Sequence, residues 1–194
     1  MSTIALFHSV LGVRPGISDA AQRLRAAGHE VHVIDQYDGR VFDDYDEGDA
    51  FVQAIGFPAL MSAAVDAVSE LADGFVAMGF SNGAGMATHV SVTRRVSAAV
   101  LCSGALPLEM IGAAAWPSNV PAQLHYAVDD PFRAEGSVES VLRSVNEAGN
   151  TAEYVQYPGR GHLFTDKSLP GEYDEAAAVA FWTNVLRFLK EHGR

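Results

Sequence analysis

Short, continuous apolar runs that alternate with segments of helical period constrain this chain more than any other feature. The runs lie at 3–10, 30–37, 74–80, 97–104, 121–128 and 152–158. Most show no strict apolar–polar alternation, so both faces of each strand are expected to be buried. Helical patterns fill the gaps at 19–27, 48–71, 84–95, 137–148 and 174–192. In the last of these, Ala177, Ala180, Phe181, Val185, Phe188 and Leu189 form an amphipathic stripe. Strands alternating with helices predict an α/β fold: a mostly parallel, twisted sheet of about six strands, with helices on both faces and right-handed crossovers. The 194 residues are 48% apolar and contain no linker-like stretch or fixed-period repeat, so 1–194 reads as one domain.

Thirteen basic residues against 24 acidic ones give a formal charge of −11. That balance argues against nucleic acid or an anionic membrane as partner. The opening MSTIALFHSVLG has no basic residue before its apolar segment, and the segment is too short to span a bilayer. It reads as a core strand. Cys102 is the single cysteine, which leaves no internal disulfide framework and fits a reducing, cytoplasmic setting.

Ligands of open parallel sheets bind beyond the carboxyl ends of the strands, so the residues just after each run are the ones to inspect. After the third run comes Gly79-Phe80-Ser81-Asn82-Gly83. Asn-Gly between apolar runs is also a hairpin signal. A hairpin would send 86–92 back antiparallel in a sheet otherwise built from crossovers. The alternative is G-x-S-x-G, a strand-to-helix turn that exposes a serine, with Gly83 and Gly85 permitting close helix–strand approach. After the fifth run come Asp129-Asp130-Pro131-Phe132, and after the sixth Pro158-Gly159-Arg160-Gly161-His162. Serine, carboxylate and histidine thus follow parallel strands in the chain order of an α/β-hydrolase triad. A serine hydroxyl needs a base to take its proton, an imidazole suits that role, and a carboxylate fixes the imidazole tautomer. The N–H of Asn82 and that of Val10, after the first run, are candidate oxyanion donors.

LFHSVLGVRPG, GFSNGAG, HYAVDDPF and YPGRGHLF together resemble the dienelactone hydrolase family of α/β-hydrolases, in order and in spacing over nearly the whole chain. The resemblance implies a catalytic triad of Ser81, Asp130 and His162, with the backbones of Val10 and Asn82 as oxyanion hole. It implies Asp130 rather than Asp129, because the family aspartate directly precedes the segment matching Pro131-Phe132. Well-known members use a cysteine nucleophile and carry a glutamate at the position of Ser9. Both differ here, and consistently, since a neutral serine–histidine couple has no thiolate to manage. Asp166 stands where the family has an arginine that holds the dienelactone carboxylate. The implied substrate is therefore a small carboxylic ester or lactone, cleaved without cofactor or metal, with neutral substrates preferred over anionic ones.

Other residues have plainer readings beside functional ones. His8 and His125 sit in or beside strands, where packing is the usual role, although His8 could line the pocket mouth beside Ser9. His29 and His32 show no metal-ligand spacing. Cys102, without the glycines of an elbow, reads as a small buried thiol. The segment 105–121 carries Leu106, Leu108, Met110, Ile111 and Trp116, which either wall an acyl pocket or pack against the domain. Arg40, with Tyr37 and Phe42, and Arg160 are further pocket candidates on loops. Two rivals to an esterase remain: a hydrolase-fold module that binds without turnover, and a flavodoxin-like nucleotide or flavin binder. Against the second, the spacing in GFSNGAG matches neither G-x-G-x-x-G nor a P-loop, and no lysine follows it.

Overall fold

The computed structural model describes residues 1–193. Six strands form one sheet: β1 (Thr3–Phe7), β2 (Glu30–Ile34), β3 (Phe75–Phe80), β4 (Val96–Cys102), β5 (Ala122–Ala127) and β6 (Ala152–Tyr157). Their order across the sheet is β2-β1-β3-β4-β5-β6, and every pairing is parallel. Alternate residues of one strand feed opposite cores, as the pleat requires. Ile4 and Leu6 of β1 pack on one side, and Ala5 and Phe7 on the other.

The first side is covered by α1 (Pro15–Ala26) and α6 (Glu175–His192), through Leu24, Phe181, Val185 and Phe188. The second is covered by α3 (Phe57–Ala67), α4 (Asn82–Thr93) and α5 (Ser137–Glu147), through Leu60, Ala87, Val90 and Val141. The six strands and the two helical layers follow the sequence pattern. Helix α1 starts at Pro15, four residues ahead of the expected 19, because proline suits the first turn, where its missing N–H costs nothing.

The expected helix at 48–71 is instead two helices, α2 (Tyr45–Ile55) and α3, meeting at an 84° bend. Gly56 takes φ +87°, a conformation that glycine adopts without strain, and Pro58 favours a helix start and not a helix interior. Helix α2 also begins earlier than expected. The Asp44 side chain accepts from the N–H groups of Asp46 and Glu47 and so caps the helix from within an acidic stretch. Among the described residues, no single helix is long and apolar enough to cross a membrane.

Two glycines let α4 lie directly on the sheet. A β-carbon on Gly83 would sit 2.4–2.5 Å from the carbonyl oxygens of His8 and Phe7, and one on Gly79 would sit 2.0 Å from the carbonyl of Gly83. Gly85, by contrast, faces Leu106 and Phe57 at ordinary contact distance, and it borders a cleft rather than the sheet.

Candidate active site

Ser81 follows β3 directly and precedes α4. Its backbone is at φ 54°, ψ −119°, a region that residues other than glycine rarely adopt. The turn is therefore the strained elbow and not a hairpin. Such a conformation costs about 1–3 kcal/mol. Ser81→Gly is accordingly expected to raise the melting temperature above that of Ser81→Ala, which keeps the β-carbon. A relief of about 1 kcal/mol corresponds to about 2–4 °C in a chain of this size. Calorimetry on the two variants checks it, and a lower melting temperature for Ser81→Gly would mean that the strain relieved is smaller than the unfolded-chain entropy that glycine adds.

The elbow presents the serine hydroxyl to His162, whose Nε2 lies 2.8 Å from Ser81 Oγ. His162 Nδ1 lies 2.9 and 3.0 Å from the two oxygens of Asp130. A carboxylate only accepts, so Nδ1 carries the proton and Nε2 offers its lone pair to the serine O–H. Asp130 is buried, and it also accepts from the N–H of Phe132 at 2.9 Å, which fixes its orientation. Asp129 is exposed, and its N–H donates to the carbonyl of Gly159.

Val10 lies on the loop just past β1, and Asn82 opens α4. Among the described residues neither N–H has an acceptor, and both residues border one opening of about 520 Å³ beside the elbow. Gly48 of α2 packs so closely on the Val10 carbonyl that a β-carbon would sit 2.7 Å from the oxygen. Ser81 and His162 line an adjoining cleft of about 200 Å³, together with Phe57, Leu106, Tyr126, Phe132 and Ala134. Phe57 and Asn82 border both openings, and Ser81 lines the cleft. No lysine or arginine lines either one among the described residues, and Asp49 lies at the edge of the larger. Burial, with Asp46 nearby, raises the Asp49 carboxyl above its ordinary value, while His162 opposes the shift.

Several pocket candidates from the sequence lie elsewhere. His8 is fully buried. Its Nδ1 meets the Ser9 carbonyl at 2.7 Å, and its Nε2 accepts from the N–H of Gln36 at 3.0 Å, so both ring nitrogens are occupied within the protein. Ser9 is buried, and its Oγ accepts from the N–H of Leu11; it borders a small separate cavity with Arg14 and Asp166. Trp116 is buried, its indole N–H donating to the Val120 carbonyl, and it packs in the core beneath α5. Arg40 is exposed and lies over the Phe51 ring, and Arg160 is exposed on its loop. Of the apolar side chains at 105–121, Leu106 borders the cleft, whereas Leu108 is core and Met110 is exposed.

Asp166, too, lies away from the serine. It is buried, accepts from the N–H and hydroxyl of Ser168, and lies 3.9 Å from Arg14 Nε. Its charge is held within the protein, and it does not face the serine cleft.

Several other residues at the site are given no role by the sequence. Ser103, just past β4, takes φ 50° and donates from Oγ to the His162 carbonyl at 2.6 Å. The rule of inspecting strand ends would have found it. Phe132 packs on the His162 ring at 4.7 Å between centroids, and Tyr45 packs edge-on at 5.9 Å. Tyr45 opens α2 and Glu172 lies on the loop before α6, two places that sequence periodicity does not bring together.

The sheet order and the elbow make this an α/β-hydrolase fold. The model of the dienelactone hydrolase family matches residues 1–193, and the chain belongs to that family. A dienelactone hydrolase-like promiscuous phosphotriesterase from metagenomic libraries is similar in structure, with a TM-score of 0.84 at 22% identity over 99% of this chain and 87% of the other. A thermophilic esterase from the Planctomycetes species Thermogutta terrifontis, with propionate bound, gives a TM-score of 0.67 at 15% identity, covering 98% and 83%. Esterase PE8 gives 0.66 at 17% identity, covering 98% and 92%. No curated protein sequence matches the chain. Family and fold define a hydrolase.

Proposed function

We propose that the protein is a serine hydrolase that cleaves a small, neutral carboxylic ester or lactone through an acyl-Ser81 intermediate. The observation that carries this reading is the continuous chain Ser81 Oγ, His162 Nε2, His162 Nδ1 and Asp130, with separations of 2.8 and 2.9 Å. Ser81 attacks the acyl carbon as His162 Nε2 takes its proton, and the N–H groups of Val10 and Asn82 hold the oxyanion. The imidazolium, stabilised by Asp130, returns the proton to the departing alkoxide. Water then repeats the cycle against the acyl-enzyme, with His162 again as base. No step draws on a cofactor or a metal.

Substrate charge follows from the walls. The cleft is apolar and has no cation at its lining, the nearest acid at the larger opening is Asp49, and the chain carries −11 overall. A carboxylate-bearing substrate would be desolvated without a partner. A neutral lactone is therefore expected to exceed its matched carboxylate analogue by about tenfold or more in kcat/KM, a difference of about 1.4 kcal/mol. A hydrolysis screen of p-nitrophenyl esters and lactone pairs, with fluorophosphonate labelling mapped to its residue, tests both statements. Failure to label Ser81 would overturn the mechanism. Preference for the anion, weakening as salt rises, would show that a surface arginine reaches the substrate.

A further inference from the structure

The backbone around His162 is held from two sides, and only one of them belongs to the strand ends. Ser103 Oγ donates to the His162 carbonyl. On the other side, the N–H of the next residue, Leu163, donates to Glu172 Oε2 at 2.6 Å. The preceding residue, Gly161, lies so close to the Glu172 backbone that a β-carbon would sit 2.1 Å from its carbonyl oxygen. Glu172 thus touches both chain neighbours of His162.

The same carboxylate accepts from Tyr45, whose hydroxyl lies 2.9 and 3.1 Å from its two oxygens. Tyr45 is the first residue of α2, and its ring packs on His162 and, at 4.9 Å, on Phe132. Burial and the Glu172 charge raise the Tyr45 phenol well above its ordinary value, so it remains a donor throughout the working pH range. One turn further along, α2 carries Gly48 against the Val10 carbonyl. A single run of contacts therefore joins the loop of Val10, through α2 and Glu172, to the loop of His162.

We infer that Tyr45 and Glu172 form a positioning pair, clamping α2 to the histidine loop and fixing the imidazole between Asp130 and Ser81. Neither residue touches the reacting atoms. The clamp acts on placement, and its loss is felt at the histidine. The inference rests on the serine-hydrolase reading only for its effect on rate, because the imidazole can be observed without substrate.

The test uses the full chain and two conservative variants, Tyr45→Phe, which keeps the ring, and Glu172→Gln. In the parent, the His162 Nδ1 proton held by Asp130 should give a slowly exchanging, far-downfield imidazole resonance by proton NMR. Both variants are expected to broaden or shift it and to accelerate its exchange with water at least tenfold, with melting temperatures close to the parent. The double variant should be no worse than the worse single one, since either change opens the same clamp. With an active ester, kcat per titrated site falls about tenfold while KM moves less than twofold. An unchanged imidazole resonance in both variants overturns the inference, as does a loss that appears only as fewer active sites with normal kcat per site. A shifted resonance in a protein that cleaves no ester would sustain the clamp and overturn the hydrolase reading instead.

Discussion

Replacing Ser81 with alanine is expected to lower ester turnover by on the order of 10⁶-fold, and His162→Ala by a similar factor. The size of the effect follows from how the groups are joined. Ser81 Oγ and His162 Nε2 share one hydrogen bond, so removing either partner removes the deprotonated nucleophile as a whole. Losses within such a unit do not add. The double variant should therefore be no slower than the single ones. The residual rate would come from the oxyanion donors and from binding, which neither change touches. Ser81→Ala should fold as the parent does, because its side chain is partly exposed at the cleft. His162→Ala also loses ring contacts with Phe132 and Tyr45, so its melting temperature should drop as well. Steady-state kinetics with a p-nitrophenyl ester, corrected for contaminating esterase by fluorophosphonate titration, reads the outcome. Near-parental kcat in Ser81→Ala would remove serine from the mechanism.

The neighbouring aspartates give the second large effect. Asp130→Asn replaces an acceptor with a group that can donate toward Nδ1, which favours the tautomer with the proton on Nε2. An imidazole in that state cannot take the serine proton, and the general triad case puts the cost at about 10⁴ in kcat. Asp129→Asn leaves an exposed side chain exposed and keeps the backbone bond to Gly159, so kcat should stay within about twofold. Measuring kcat for the pair at the pH optimum of the parent decides the matter. The reverse ranking would mean that the turn after β5 rearranges when substrate binds.

These residues were legible in the sequence for a geometric reason. In a parallel sheet every crossover returns the chain to the same end, so Val10, Ser81, Asp130 and His162 share one end simply by following β1, β3, β5 and β6. The two aspartates could be told apart only by the family resemblance, and burial now separates them physically. What periodicity could not supply was lateral placement. Helix α2 was hidden because its cap, Asp44, sits in a run of acids that reads as a loop, and because Gly56 and Pro58 lie inside an apolar pattern that otherwise runs through. With α2 misplaced, Tyr45 had no position and Glu172 no partner. The pocket candidates failed in a related way. His8, Ser9 and Trp116 are polar or aromatic residues on or beside the connections at this end of the sheet, but their own side-chain atoms are bonded within the protein, and none of them lines the serine cleft. Proximity along the chain does not give direction.

The separation of the serine from its base has a consequence for a chain emerging from the ribosome. Ser81 precedes His162 by 81 residues. At about 5–20 residues per second, the elbow exists for about 4–16 s before the histidine is synthesised. Through that interval Ser81 has no His162 beside it, while Asp130 and then β6 are synthesised within it, ahead of the histidine. On the proposed mechanism, a nascent chain therefore carries a serine without its base until the loop after the last strand has been made.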